Sequence, residues 1–326
     1  MFRIGVIFGG DGSEREVSLK SGTEVCAALE ITGMEVIPYR IDALSDLERI
    51  TSGDRPDIFF IALHGGWGEN GQLQAFLDLK GIPYTGPDHE ACALSMDKWK
   101  SKMLFIESGI PTPRGILLEK GSNWDPENFQ KVFDNVSRVV VKPNSCGSTL
   151  GVSIISRDDP EALSRGLEKA FRFDTKAIVE TFIPGSELAV TVVEDAGAID
   201  VFPIVEILPQ EGFYSYEAKY SGGKSEYLVP APLRDDISER AAKAAADAFR
   251  AIGCSIYSRV DIRLDLTGVP YVLEVNSVPG MTSTSLVPKA ALARGLSFTE
   301  FLEKILFLSL KKRTFLSLPD FSGPIS

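Results

Sequence analysis

The sequence predicts a mixed fold, in which an open α/β domain is followed by α+β sheets. Three observations carry this prediction. Short apolar strands alternate with helices up to about residue 90, which is typical of a parallel sheet covered by helices. Later strands alternate apolar and polar residues and end at tight turns, which indicates antiparallel sheets. The length of 326 residues suggests two or three domains.

The composition excludes several classes of protein. Acidic residues outnumber basic ones, 45 against 34, and the net charge of −11 argues against a surface for nucleic acid or an anionic membrane. No stretch approaches the ~20 apolar residues of a membrane helix, and the first strand begins too early for a signal peptide. We expect a reducing, cytoplasmic setting because the four cysteines are scattered, without disulfide or metal spacing.

The first predicted strand covers 3–8 and ends in a glycine-rich turn. Ser13 and Glu16 form a capping-box pattern, so a helix is predicted through Leu29. The G-x-G-x-x-G spacing of dinucleotide sites is absent. Glu14 is instead a candidate for a small-substrate site beyond the carboxyl end of the strand.

His64 follows the third predicted strand and precedes glycines that let a ligand approach the backbone. It is a candidate polar contact, and a histidine satisfied within its own turn is the alternative. A single helix is predicted over 89–108, and it carries Lys98. The other elements of this part are strands at 35–39, 57–63 and 82–84 and a helix at 72–79.

A second unit follows Pro113. In it, Lys142 ends a strand and precedes a loop of small residues at 146–151. Backbone N–H groups of such a loop can bind a phosphate chain while the lysine supplies charge. The loop is not a Walker A motif, and an ordinary polar hairpin loop is the alternative. The unit has predicted strands at 115–118, 138–142, 151–155 and 177–183 and helices at 125–133 and 160–171.

The segment 178–187 is predicted to join this unit to a third. Its apolar residues and free backbone groups suit a purine, and Glu187 is placed to bind ribose hydroxyls. The polar stretch 209–227 is predicted to be a long functional loop. The tail from Arg313 carries no interpretable pattern. The third unit has predicted strands at 187–193 and 199–207 and helices at 235–252 and 297–310.

A late hairpin is the candidate metal site. Thr267–Gly268 marks a two-residue turn, so Asp261 is predicted to face Glu274, and Arg259 to face Asn276. Side chains two apart share one face of a strand, and facing carboxylates repel each other without a cation. These oxygens suit Mg²⁺, whereas a solvated polar face is the alternative. The apolar residues that alternate with them are Val260, Ile262, Leu264, Tyr271, Leu273 and Val275.

Six segments, in order along the chain, resemble the D-alanine–D-alanine ligase family of the ATP-grasp superfamily. The resemblance extends to about residue 310, and so many ordered matches are far more specific than one short motif. The segments are GGDGSEREVSL at 9–19, LHGGWGENG at 63–71, IPYTG at 82–86, MDK at 96–98, FYSYEAKY at 213–220 and EVNSVPGMT at 274–282.

The resemblance implies a three-domain ATP-grasp fold, with an N-terminal open α/β domain and a nucleotide held between two sheets. The domains would be 1–92, with the first D-alanine site; 93–183, with the phosphate loop; and 184–326, with the lid loop, the metal site and the second D-alanine site. The family phosphorylates one D-alanine with ATP and then ligates a second, for peptidoglycan precursor synthesis in the cytoplasm. A homodimer acting on small molecules is implied, without nucleic acid or membrane.

The resemblance also assigns nucleotide contacts. Lys98 and Lys142 would hold phosphates, Glu187 would bind ribose, and Lys219 would lie on the lid. Two Mg²⁺ ions, with Mn²⁺ as an alternative, would bind Asp261, Glu274 and Asn276. The other implied ATP contacts are the loop residues Cys146, Gly147, Ser148 and Thr149 and the adenine-lining residues Glu180, Thr181, Phe182 and Ile183.

By the same resemblance, Glu14 would bind the ammonium of the first D-alanine. The residues implied beside it are Val17 and His64, with Ser148 and Tyr220 in a shared hydrogen-bond network. Those implied for the oxyanion are Arg259 and the N–H of Gly280, and those for the second carboxylate are Ser285 and Leu286.

The chain departs from the family at a few positions. Cys146 and Thr149 stand where other small or polar residues are more frequent, and Ser215 and Asn70 each stand where the family often has Asp. A thiol beside lysine charge would be oxidation-sensitive, whereas a space-filling cysteine is the simpler interpretation. Two alternatives stay open: a relative that joins D-alanine to D-serine or D-lactate, and a non-catalytic ATP-binding protein of the same fold.

Overall fold

A computed structural model describes residues 2–51, 53, 55–122, 126–209 and 225–316. Within them, no helix is long and apolar enough to cross a membrane. The predicted lid, with Ser215, Lys219 and Tyr220, lies outside the described residues.

The N-terminal part is a three-stranded parallel sheet in the order β2-β1-β3. The predicted strand at 82–84 is reduced to one bridge between Tyr84 and Phe59. The first helix begins at Arg15 with Glu14, not Ser13, as its N-cap, so the capping-box prediction is wrong. The elements are β1 (Arg3–Gly9), α1 (Arg15–Glu30), β2 (Glu35–Ile41), α2 (Leu47–Thr51), β3 (Ile58–Ile61) and α3 (Gln72–Leu79).

The single helix predicted over 89–108 is two helices, α4 (His89–Met96) and α5 (Lys98–Glu107). Asp97 breaks the run, with φ −83° and ψ 91°, and its carboxylate accepts a hydrogen bond from the N–H of Lys100. Aspartate favours this N-cap geometry over a helix interior. The break makes Lys98 the first residue of α5.

The middle part is a four-stranded antiparallel sheet in the order β4-β7-β5-β6. Its helices cover one face, where Phe129 and Phe133 form part of an apolar core with Val139 and Val141. The elements are β4 (Gly115–Glu119), α6 (Pro126–Val132), β5 (Arg138–Pro143), β6 (Ser153–Ser156), α7 (Pro160–Ala170) and β7 (Lys176–Thr181).

The C-terminal part is a six-stranded sheet, β11-β10-β8-β12-β13, with β9 also paired to β8. The predicted strand 199–207 is divided around Pro203, which lacks the N–H a ladder requires. Residues 225–227, at the end of the predicted loop, belong to a strand, Ser225–Leu228. The helix at Leu286–Ala293 is not among the predicted elements. The elements are β8 (Gly185–Asp195), β9 (Ala198–Val201), β10 (Val205–Pro209), β11 (Ser225–Leu228), α8 (Asp235–Ile252), β12 (Tyr257–Asp265), β13 (Pro270–Asn276), α9 (Leu286–Ala293) and α10 (Phe298–Leu316).

Helix α10 connects the two ends of the chain. Phe301 and Ile305 are fully buried in a core shared with β1 and β3. Arg313, in the tail where no pattern was found, stacks on the ring of Tyr84 at 3.3 Å and donates to its carbonyl at 2.9 Å. The helix also continues to Leu316, past its predicted end at 310. The C-terminal part is thereby fixed against the N-terminal part.

Candidate active site

A cleft separates the four-stranded sheet from the six-stranded sheet, with about 860 Å³ of free space, part of it open to solvent. We call it the inter-sheet cleft. It is lined by Lys98, Val140, Lys142, Pro143, Cys146, Gly147, Ser148, Thr149, Val152, Glu180, Thr181, Phe182, Ile183, Glu187, Asp261, Arg263, Leu273 and Glu274.

The residues that the resemblance implies for ATP contact come together in this cleft. Every implied ATP contact among the described residues lines this cleft, from Lys98 and the loop at 146–149 to the segment 180–183 and Glu187. Lys219 lies outside the described residues. The loop backbone turns sharply, since Ser148 and Thr149 both have positive φ, at 52° and 62°.

Lys98 reaches into the cleft from the start of α5. Its Nζ donates to the carbonyl of Cys146 at 2.8 Å and lies 3.1 Å from Oε2 of Glu274. Burial alone would lower the pKa of this ammonium, but the charge and hydrogen bond of Glu274 outweigh it, so the pKa is raised. Lys98 therefore stays charged and links the loop to the hairpin.

Glu180 lies between two lysines. Its carboxylate pairs with Nζ of Lys142 at 2.5 Å and with Nζ of Lys102 at 3.0 Å. Burial opposes its ionisation, yet the two ammonium charges hold its pKa below the ordinary value. Lys102 is buried and also donates to Thr112 and the carbonyl of Pro113. Sequence reasoning missed its role, although Lys102 lies one helical turn after Lys98.

The hairpin brings together the polar residues predicted for it. Arg259 pairs with Asn276 in the ladder and Asp261 with Glu274, as expected. Arg259 donates to both carboxylate oxygens of Asp261, at 2.7 and 2.8 Å, and Nδ2 of Asn276 donates to Asp261 at 3.1 Å. The facing carboxylates are thus neutralised by cations of this chain, Arg259 on one and Lys98 on the other.

The predicted two-residue turn is wrong. Asp265 pairs with Val269 around a three-residue turn, and the register shifts after Asp261. Leu273 is the extra residue of the resulting bulge, so Val272 rather than Leu273 is buried in the core. Both Leu273 and its neighbour Glu274 line the cleft. A bulge can re-aim side chains in this way.

The oxygen set of Asp261, Glu274 and Asn276 fits a hard divalent cation. The ladder holds the three residues at neighbouring positions of one hairpin, and two of them carry anionic oxygens. Mg²⁺ prefers such ligands and completes its shell with water or phosphate oxygens.

Glu14 occupies a second, adjoining region. Its carboxylate accepts a hydrogen bond from Ser148 of the cleft loop. A side chain at Gly65 or Gly147 would meet Oε2 of Glu14 at 2.5 or 2.9 Å, so only glycine fits beside it. The side chain of Glu14 makes no capping hydrogen bond to α1, so its carboxylate is available for the contact with Ser148. We call Glu14, His64, Glu69 and Ser148 the Glu14 corner.

His64 is buried in this corner. Its Nε2 lies 2.9 Å from Oγ of Ser21, and its Nδ1 lies 3.2 Å from the carbonyl of Val278 and 3.6 Å from Glu69. Val17 precedes Ser21 by one turn of α1 and is half-buried. The histidine is therefore satisfied by neighbouring segments rather than by its own turn.

Glu69 was not predicted. Burial raises the pKa of its carboxyl, with His64 lowering it in part and the charge of Glu14 raising it further. A glycine-rich loop gave no local indication that this glutamate would be buried beside another.

The loop after the hairpin carries the other implied contacts. Gly280 precedes a turn closed by Ser285, whose Oγ accepts from the N–H of Thr282 at 3.1 Å. A side chain at Gly280 would lie 3.3 Å from that Oγ. Ser285 is the N-cap of α9 and Leu286 is its first residue. The N-terminus of a helix suits a carboxylate.

Of the two interpretations of Cys146, the structure favours the simpler one. Burial raises the pKa of its thiol, and the charge of Lys98 offsets this only in part. The raised pKa disfavours the thiolate, and it agrees with the space-filling cysteine that was the simpler interpretation.

Two sheets that close on one cleft, with Lys142 on one sheet and Asp261 and Glu274 on the other, define an ATP-grasp fold. Family models described as "D-ala D-ala ligase N-terminus" and "D-ala D-ala ligase C-terminus" match residues 43–87 and 104–307. The chain therefore belongs to the D-alanine–D-alanine ligase family, which consists of ATP-dependent ligases.

Individual relatives agree. A D-alanine–D-alanine ligase of Halalkalibacterium halodurans is 41% identical over 316 residues, covering 95% of this chain and 100% of the relative. The solved Bacillus anthracis ligase in complex with ATP is 34% identical, with TM-score 0.84 and coverage of 97% and 100%. The VanG D-Ala:D-Ser ligase of Enterococcus faecalis is 28% identical, with TM-score 0.79 and coverage of 94% and 99%.

Proposed function

We propose that this protein forms a D-alanyl phosphate from ATP and one D-alanine, and that the amine of a second D-alanine then displaces the phosphate. The products are D-alanyl-D-alanine, ADP and phosphate. One observation supports this most directly: Ser148 belongs to the loop that lines the inter-sheet cleft and also donates to Glu14. The phosphate end of the cleft therefore adjoins a carboxylate suited to an amino-acid ammonium.

The cleft residues bind and orient the nucleotide. Lys98 and Lys142 neutralise the phosphates, and loop 146–151 supplies backbone N–H donors. The segment 180–183 lines the base, and Glu187 takes the ribose hydroxyls. Phosphoryl transfer depends mainly on such positioning and charge neutralisation.

Asp261, Glu274 and Asn276 would hold two Mg²⁺ ions, for which Mn²⁺ could substitute. When bound, the metal neutralises charge on the terminal phosphates. Arg259 and Lys98 now pair with these carboxylates, so we expect both cations to turn toward phosphate and oxyanion when metal and nucleotide occupy the cleft.

The first D-alanine places its ammonium on Glu14, between Val17 and His64, with its carboxylate toward the phosphate loop. Ser285 and Leu286 bind the carboxylate of the second D-alanine. Arg259 and the N–H of Gly280 stabilise the oxyanion of the tetrahedral intermediate, because fixed donors aimed at developing charge lower the barrier. Tyr220 and Lys219 would complete the lid and keep water from the acylphosphate.

The reaction belongs in the cytoplasm and supplies peptidoglycan precursors. We expect the enzyme to act as a homodimer, which sedimentation would test.

Phosphate release tests the proposal. With ATP and Mg²⁺, release should require D-alanine, and mass spectrometry should find the dipeptide. Release without D-alanine, or no release at all, would favour a non-catalytic nucleotide-binding protein.

A D-alanine–D-serine ligase is the second candidate, and the similarity to the VanG D-Ala:D-Ser ligase favours it over the D-lactate branch. Competition among D-alanine, D-serine and D-lactate, with the products identified by mass, separates these activities. A dominant mixed dipeptide would replace our assignment of the second substrate.

A further inference from the structure

Arg263 lines the inter-sheet cleft on β12, two residues after Asp261, and none of the motifs that carry the resemblance contains it. It lies directly opposite Glu187 in the ladder between β12 and β8. Both side chains are mostly buried, 18% and 15% exposed. This burial is unusual for a cation unless several acceptors surround it.

The guanidinium has three acceptors, two backbone carbonyls and one carboxylate. Its Nε donates to the carbonyl of Ile183 at 3.1 Å and its Nη2 to the carbonyl of Gly185 at 2.7 Å. Its Nη1 lies 3.5 Å from Oε2 of Glu187. The planar fork of arginine can satisfy such divergent acceptors at once, whereas lysine cannot.

These acceptors belong to one short stretch of chain. Residues 182–184 connect β7 of the four-stranded sheet to β8 of the six-stranded sheet. The N–H groups of Thr181 and Phe182 are already bound, to the carbonyls of Arg114 and Arg138. Arg263 binds the carbonyls of this same stretch. The connection is therefore held through N–H groups at its start and through carbonyls at its end.

Arg263 also lies over the ring of Phe182, 5.7 Å from its centroid. Arg138 approaches the same ring more closely, at 4.1 Å, but contacts neither Ile183 nor Gly185 through the hydrogen bonds seen for Arg263. A substitution of Arg138 therefore removes a contact with the Phe182 ring alone, whereas a substitution of Arg263 also removes the hydrogen bonds that support the connection.

We propose that Arg263 is a positioning residue for the nucleotide, which fixes the connection 182–184 and the adjoining Gly185 relative to the ribose-binding carboxylate of Glu187. This inference rests on the proposed function, which places base and ribose at these two elements. Arg263 acts through its neighbours: it holds the connection by two carbonyls and orients Glu187 by its charge. Loss of the side chain would leave two partly buried carbonyls without this donor.

The experiment measures ADP and 2′-deoxy-ADP binding by calorimetry for the full-length protein and four variants. In Arg263→Met, we expect ADP to bind about tenfold more weakly, the loss typical of one charged hydrogen-bonding group. The ratio between ADP and 2′-deoxy-ADP should fall toward one, because Glu187 is no longer held. The kcat at saturating ATP should change less than the KM for ATP, as expected for a positioning role.

Arg138→Met is the matched control, since it removes the other cation over Phe182. It should bind both nucleotides like the parent protein. Arg263→Lys keeps the charge near Glu187 but not the fork, so it should recover part of the discrimination while ADP affinity stays reduced. Thermal unfolding of each variant shows that it is folded, and Arg263→Lys replaces Arg263→Met if the latter is not.

Glu187→Gln distinguishes the proposed role of Arg263 from the assignment of Glu187 to the ribose. If it loses discrimination and Arg263→Met does not, the role of Arg263 is overturned while the ribose assignment stands. If the parent protein does not discriminate, or Glu187→Gln keeps the discrimination, the ribose assignment fails and the inference fails with it. Equal losses in Arg138→Met and Arg263→Met would also overturn the specific role of Arg263.

Discussion

The inter-sheet cleft and the Glu14 corner are neighbours built in different ways. The cleft takes most of its wall from strands, where side chains two apart share a face. The Glu14 corner is assembled from the start of α1, the loop after β3 and the cleft loop, joined by side-chain hydrogen bonds. A substitution in the cleft should therefore lower the affinity for nucleotide, whereas a substitution in the corner should disturb the position of the amino-acid substrate.

The largest expected effect tests a residue that stands between the two regions. Arg259 belongs to the hairpin by sequence but is proposed to act on the amino-acid side. Arg259→Ala should lower kcat for dipeptide formation by about 10²–10³, the loss typical of one oxyanion donor, with ADP affinity within about threefold. Steady-state kinetics and calorimetry measure the two quantities. Unchanged turnover, or an equal loss of ADP affinity, would place Arg259 with the cleft alone.

The next prediction concerns the cleft itself. Among the described residues, Lys102→Met leaves only Lys142 as an ion-pair partner of Glu180. The free energy of unfolding should fall by about 3 kcal/mol, because a buried charge loses one of its partners. Ionised Glu180 contributes stability above its ordinary pKa of 4.5, and this is lost as pH falls through its lowered folded pKa. Without Lys102 that pKa rises toward its ordinary value, so less stability should be lost as the pH falls.

Urea unfolding from pH 7 to about pH 3 measures both effects. Lys100→Met, on the same helix but with a mostly exposed side chain, is the control and should behave like the parent protein. Identical acid profiles for the two variants would mean that Lys102 does not support the charge of Glu180.

A smaller effect is expected at the link between the regions. Ser148→Ala removes the hydrogen bond to Glu14, so the KM for the first D-alanine should rise about tenfold, as for a hydrogen bond to a charged group. Affinity for ADP should change less than twofold. Thr149→Ala, in the same loop, should reverse this pattern. If both variants affect only ADP, the loop does not serve the corner.

The smallest effect concerns Cys146. Because burial raises the pKa of its thiol, iodoacetamide should alkylate it several-fold more slowly than free cysteine at pH 8. Mass spectrometry of the peptide that contains it gives the rate. Faster alkylation than free cysteine would favour the reactive thiolate, the less simple of the two interpretations drawn from the sequence.

Several residues of the cleft could be identified from the sequence because the patterns that mark them lie within short segments of the chain. Strand periodicity and a glycine-bounded loop identify residues such as Lys142 and Glu187 without knowledge of the rest. The same periodicity could have identified Arg263, which shares a face with Asp261, and helical spacing could have identified Lys102. Asp97 could have indicated the break between α4 and α5, since aspartate is a preferred N-cap.

The Glu14 corner was accessible mainly through the family resemblance. Its contacts join residues 43 to 214 positions apart, as in His64 with Ser21 and with Val278, and no local pattern specifies such pairs. The burial of Glu69 likewise depends on how three segments pack. The hairpin turn was misjudged because Thr267–Gly268 fits two turn lengths, and the choice depends on the side chain of Asp265, which accepts from the N–H groups of Thr267 and Val269.

The extra residue at Leu273 has a practical consequence for anyone who wishes to redesign this hairpin. The register of the ladder changes between Asp261 and Ile262, so the pairs near the turn and the pairs that carry the proposed metal ligands follow different registers. A loop graft at 266–268 that keeps the pairing of Asp265 with Val269 would leave Arg259, Asp261 and Glu274 in place. Deleting Leu273 to make a regular ladder would instead remove an apolar wall of the cleft and shift the carboxylate beside it.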